Sequence, residues 1–225
     1  MKNIKLMLFI LVLTGVQNQS SYAQVFNIMQ PGYQHVYFSL EIDPVSSFTA
    51  GYARSFGIEL INRGITFAGD ITLPYYLLDM EHYLAKLSLR VKIVNFTNWH
   101  ILNRISVMYS GTDNALYFGN NVSLDETLLI GHFVDRWHVS GEIGYTKFLY
   151  TYIHHNKWYK TTHFSEARSG WYSSTGGNIS FGIHGGYKFK DTIEATLRLL
   201  MKRTEKLNPI EGPLFYGNLG VNFYF

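Results

Sequence analysis

Apolar residues fall at every second position through most of this chain. The last stretch, 213–225, shows the pattern well: Phe215, Gly217, Leu219, Val221, Phe223 and Phe225 share one parity, and Tyr216, Asn218, Gly220, Asn222 and Tyr224 share the other. Successive side chains of a strand point to opposite faces, so this stretch carries one large apolar face and one small or polar face. Such a strand suits a wall between lipid and a polar lumen. At 83–95 the contrast sharpens, with Tyr83, Ala85, Leu87, Leu89, Val91 and Ile93 opposing Lys86, Ser88, Arg90 and Lys92. A cation near the bilayer midplane costs roughly 2–4 kcal/mol. The charged face must therefore line the lumen.

The same period predicts ten strands, at about 35–43, 48–59, 65–73, 83–95, 100–110, 115–124, 137–154, 178–189, 192–202 and 213–225. Eight or twelve are the alternative counts, because boundaries read from period alone move by ~2–4 residues. In the second strand Arg54 shares a face with Phe48, Tyr52 and Phe56. Either it lies at an interface and snorkels, or a bulge reverses the register there. Asn120 interrupts the apolar face of the sixth strand, and 125–136 reads as a short interfacial helix around 128–133 or as a distorted connection. The segment 155–177 is the longest polar connection. Long connections belong on the extracellular side of such barrels, and an even strand count then places both mature termini in the periplasm. The expected fold is an all-β, antiparallel, up-and-down transmembrane barrel. A soluble β-sandwich would bury one face in a dry core, whereas the faces opposite the apolar ones here carry Lys, Arg, Glu and His.

Composition narrows this picture. Lys2 and Lys5 precede an apolar run at 6–13, and Ser21 and Ala23 are the small residues before a cut ahead of Gln24. This reads as a signal peptide at 1–23, the run being shorter than the ~20 residues of a spanning helix. A short periplasmic lead-in at 24–34 and a barrel at 35–225 follow. Residues 1–23 hold two of the 19 Lys and Arg and none of the 16 Asp and Glu, which leaves the mature chain near neutral at +1. That balance gives no reason to expect nucleic acid as a partner. The chain has no Cys, so neither a disulfide nor a lipid-modified cysteine is expected.

The leader, the alternating segments, TGGN at 175–178 and GVNFYF at 220–225 resemble outer-membrane barrel proteins of the Bacteroidetes type. The resemblance implies an architecture and an export class. It further implies that the barrel-assembly machinery reads the terminal aromatic strand, here through Phe225, Phe223 and Val221. It implies no active-site residue.

The chemistry expected of the lumen rests on Asp70, Lys86, Arg90, Arg104, Glu142, His184, Lys188, Glu194 and Arg198. Barrels of about eight strands are just wide enough to be filled by side chains, so ten strands suggest a narrow or plugged lumen. The charges then fit two readings: a salt-bridged plug, or a constriction that binds or passes a small polar, even anionic, solute. For solute binding the candidates are Lys86, Arg90, Arg104, Glu142, His184 and Arg198. His154, His155 and His163 lie near Glu166, but adjacent histidines on a strand point opposite ways and the spacing matches no closed zinc motif, so no metal is assigned. His138, Ser140 and Glu142 share a strand face with base, nucleophile and acid chemistry. Residues two apart are separated by roughly 6.6–6.8 Å of strand rise, so a catalytic triad does not follow, and no cofactor is implied. Trp158, Tyr159, Trp171 and Tyr172 in the long connection are the candidates for contact with a surface partner.

Overall fold

The computed structural model describes residues 32–42, 46–58, 63–74, 82–113, 117–162, 166, 168–205 and 214–225. The expected signal peptide and lead-in residues 24–31 lie outside the described residues. Ten strands are present: β1 (Gln34–Ile42), β2 (Ser47–Ile58), β3 (Arg63–Pro74), β4 (His82–Phe96), β5 (Trp99–Asp113), β6 (Tyr117–Phe133), β7 (Trp137–His155), β8 (Gly170–Lys190), β9 (Ile193–Thr204) and β10 (Leu214–Tyr224). A short helix α1 (Lys157–Thr162) follows β7. Each strand pairs antiparallel with its neighbours in sequence, and β1 pairs with β10 from His35↔Tyr224 to Ile42↔Gly217, which closes the sheet into a barrel. Closure leaves no free edge around the wall.

The strand ends joined through 59–62, 97–98, 134–136 and 191–192 lie at one end, called here the turn end, together with the start of β1 and the end of β10. The strand ends joined through 43–46, 75–81, 114–116, 156–169 and 205–213 lie at the other, the loop end. The molecule is inside out relative to a water-soluble domain. Leu87 (71% exposed), Ile71, Ile183 and Leu219 point away from the barrel, while Thr66, Ser106 and Thr127 are almost completely buried within it. Arg54 shares the outer face of Tyr52 and Phe56 without any reversal of register, and its guanidinium lies 5.2 Å from the Phe56 ring at the turn end. Its cation is thereby at the margin of the apolar band. Trp99, His132 and Trp137 continue an aromatic rim at this end, with ring centroids 5.5 and 5.4 Å apart.

Three expectations are corrected. No helix or distorted connection occupies 125–133, because β6 runs unbroken through Phe133, pairs with β5 and β7 along its length, and leaves only 134–136 as the connection. The run Leu128-Leu129-Ile130 misled because Leu128 and Ile130 sit on the outer face while Leu129 points inward to an apolar patch. Both faces are apolar there, and the period of two disappears. The long connection ends at 169 rather than 177, since β8 begins at Gly170 and Trp171 and Tyr172 are strand residues opposite Tyr152 and Thr151. Ile93 does not continue the outer face of β4. Lys92 pairs with Leu102 and Val94 with Ile101, so Ile93 is the extra residue of a bulge and Val94 and Phe96 take over the outward positions.

Asn120 interrupts nothing. It stays on the outer face and accepts a hydrogen bond from the Tyr83 hydroxyl at 3.3 Å.

Candidate functional site

The inward face is divided into a packed layer near the turn end and a cavity beyond it. The layer starts from Leu102, Leu129, Phe133 and Tyr224, the buried apolar cluster contributed by β5, β6 and β10. Phe133 is fully buried and lies stacked between His100 and His138, at centroid distances of 5.2 and 5.4 Å. His184 meets the other side of His138 at 4.9 Å, and His35 packs against Tyr224 at 5.3 Å. Glu194 ties the strands together. One of its oxygens accepts from the Tyr224 hydroxyl and, at 2.8 Å, from Asn222 Nδ2, while the other lies 3.3 Å from His138 Nδ1. Lys188 lies over the Tyr224 ring at 5.4 Å. Aromatic stacking and the two bonds accepted by one Glu194 oxygen make this layer a packed floor on the turn side of the cavity.

Gly186 is part of that arrangement. A Cβ there would collide with the His138 ring and come within 2.8 Å of Glu194 Oε1, so only a glycine lets the ring pass so close to the wall. The floor thus depends on the absence of a side chain as much as on the aromatic residues.

Beyond the floor lies a cavity of about 150 Å³, lined by residues from β1 through β10. Lys86, Arg90, Arg104 and Arg198 supply its cations, and Glu41, Asp70, Glu142 and Glu194 its carboxylates. Three of the cations are engaged. Lys86 Nζ lies 3.2 Å from Asp70, whose carboxylate also accepts the Tyr37 hydroxyl at 2.6 Å. Arg104 lies 3.6 Å from Asp125 and donates to Thr127 Oγ1 at 3.0 Å. Arg198 Nε donates to Glu142 at 2.7 Å, across the lumenal face of β8. Arg90 has no ion pair or hydrogen bond to a side chain among the described residues. Its register partner across the strands is another guanidinium, Arg104.

All six expected solute-binding residues, Lys86, Arg90, Arg104, Glu142, His184 and Arg198, border this one cavity. Ser140 is buried, but its hydroxyl donates to the backbone carbonyl of His184 at 3.3 Å rather than to an imidazole, while Glu142 is held by Arg198. The three groups considered as a triad are therefore occupied separately. His154 is exposed on β7, His163 lies outside the described residues, and no group of three or more metal-ligating side chains occurs among the described residues. Trp171 is 65% exposed and packs against Tyr152 at 5.2 Å, whereas the Tyr172 hydroxyl donates to the Arg168 carbonyl. Trp158 and Tyr159 fall on α1, and their side chains lie outside the described residues.

The floor residues His35, His100, Leu102, Leu129, Phe133 and Tyr224 were not among the expected site residues. Their inward parity at the turn-end halves of the strands is the signal that would have found them. An apolar residue at an inward position is the feature an alternation rule discards.

No family model matches the sequence, and no curated protein matches it. Solved structures do. An outer-membrane channel from Pseudomonas putida is similar at 10% identity over 94% of this chain and 100% of that chain, with a TM-score of 0.55. The attachment invasion locus protein Ail of Yersinia pestis is similar at 9% identity over 87% and 100%, with a TM-score of 0.41. The N-terminal β-barrel domain of OprF from Pseudomonas aeruginosa is similar at 12% identity over 87% and 98%, with a TM-score of 0.38. At 10% identity the likeness to the Pseudomonas putida channel is one of fold: a closed antiparallel barrel of the outer-membrane kind.

Proposed function

We propose that this chain is an integral outer-membrane barrel of the Bacteroidetes type that admits small polar solutes into its lumen from the extracellular side and passes them only when the floor opens. The apolar outer wall supports membrane insertion, since an exposed apolar band around a whole barrel is stable in lipid and not in water. Short connections at the turn end support a periplasmic placement of that end and of both mature termini, after export through the leader at 1–23. Phe225, Phe223 and Val221 are outward and exposed at the close of the sheet, which suits recognition by the barrel-assembly machinery. The Pseudomonas putida neighbour is described as a channel, which fits the same reading.

The observation that carries the proposal is a charged cavity of about 150 Å³ bordered by a packed floor. Single-channel recording on the purified protein tests it. Wild type should show little steady conductance, and Phe133→Ala should raise it by removing the ring between His100 and His138. A large steady conductance in wild type would refute the closed floor. Silence in both proteins would leave a plugged scaffold.

A second reading, an interaction role for the loop end, is favoured by Trp171, whose ring is largely exposed beside Tyr152. It predicts that Trp171→Ala, or removal of 156–169 with Trp158 and Tyr159, changes the set of surface proteins crosslinked in cells. An unchanged set would reject it.

A further inference from the structure

Three guanidiniums border the lumen cavity. Arg90 and Arg198 both lie close enough to act electrostatically on Arg104, and all three act on His184. Two carboxylates, Asp125 and Glu142, are paired with them. Arg90 remains, opposite Arg104 in register and bordering the cavity, with no anionic partner among the described residues. Like charges directly opposite each other across antiparallel strands are destabilising, and an enclosed cation without a counter-charge adds to that cost. Over the whole lining four cations face four carboxylates, but Arg90 is the cation left without an ion pair among the described residues.

We propose that Arg90 is the anion-binding centre of the lumen and that its ligand is a small monoanionic carboxylate. The proposal rests on the reading of the lumen as a solute cavity. A guanidinium presents a planar fork of donors that matches a carboxylate with two parallel hydrogen bonds. A single negative charge matches the one guanidinium left unpaired. A dianion such as phosphate would overcompensate it and would face Glu41, Asp70, Glu142 and Glu194, which line the same cavity. The cavity volume of about 150 Å³ restricts the ligand to a few heavy atoms, and Leu102 and Leu129 give it an apolar side on the floor. The roles of the expected solute-binding set thereby separate: Arg90 binds, while Lys86, Arg104 and Arg198 are held by protein carboxylates and set the field around it.

Calorimetry on the detergent-purified, full-length mature barrel in low-chloride buffer tests the proposal, with propionate as the probe and inorganic phosphate as its competitor class. Wild type should bind propionate at one site. Arg90→Gln should weaken binding about tenfold or more, as expected for a lost charge-assisted bond. Arg90→Lys should bind with intermediate strength, and the exterior variant Arg54→Gln should bind as wild type does. The heat-dependent shift in gel mobility of each variant confirms a folded barrel. Equal binding by wild type, Arg90→Gln and Arg90→Lys would overturn the proposal, as would binding of phosphate in preference to propionate. Absence of propionate binding by wild type would also overturn it. The floor is read separately from the conductance of Phe133→Ala, so its failure and this one are distinguishable.

Discussion

Arg198 and Arg90 border one cavity, yet removing them should have opposite consequences. Glu142 is almost fully buried and accepts its bond from Arg198, so Arg198→Met leaves a buried carboxylate without its cation. Breaking a buried pair costs about 3–5 kcal/mol, and the partial exposure of Arg198 moves the expectation to the lower part of that range. Arg90→Met removes a cation that has no ion pair among the described residues and should leave stability unchanged or raise it. Urea unfolding of the two variants in lipid vesicles measures the contrast. Equal destabilisation would mean that Arg90 has a structural partner. The inward direction of both side chains was legible from parity alone. The pairing was not, because Arg198 and Glu142 sit on β9 and β7 with β8 between them, and only closure and register bring them together.

At the scale of the element, β4 carries the most informative irregularity. Deleting Ile93 removes the extra residue of the bulge and leaves both flanking registers intact, so the barrel should still assemble. Deleting Leu89 in the same strand turns half of it over, placing Lys86 and Ser88 or Arg90 and Lys92 toward lipid. At roughly 2–4 kcal/mol per cation near the midplane, that variant should fail to reach a heat-modifiable, protease-resistant form. Assembly of both variants, or of neither, would contradict the assigned register. Alternation revealed β4 because its two faces differ in kind, apolar against cationic. It failed for the turn-end half of β6, where Leu129 and Phe133 point inward to build the floor and Leu128 and Ile130 point outward. The closing strand, uncharged on its inner face, reads in sequence as a plain wall. In the structure its Asn222 and Tyr224 hold Glu194, so β10 both closes the barrel and secures the floor.

For the whole molecule, strand number, closure and the outward apolar wall followed from period and connection length. The division of the lumen into floor and cavity did not, since it depends on which inward residues lie at the same level of different strands. From these parts together we propose a membrane-spanning barrel whose cavity opens toward the loop side and is closed on the turn side. The chain contains no cysteine, so single introduced cysteines report position without background. The most direct measurement is labelling of intact cells with a membrane-impermeant maleimide at Asn156→Cys on the loop end, Ser39→Cys in the cavity and Asp135→Cys on the turn end. Asn156→Cys and Ser39→Cys should react in intact cells, and Asp135→Cys only after the outer membrane is permeabilised. Reaction of Asp135→Cys in intact cells, or of Ser39→Cys only after permeabilisation, would contradict the account.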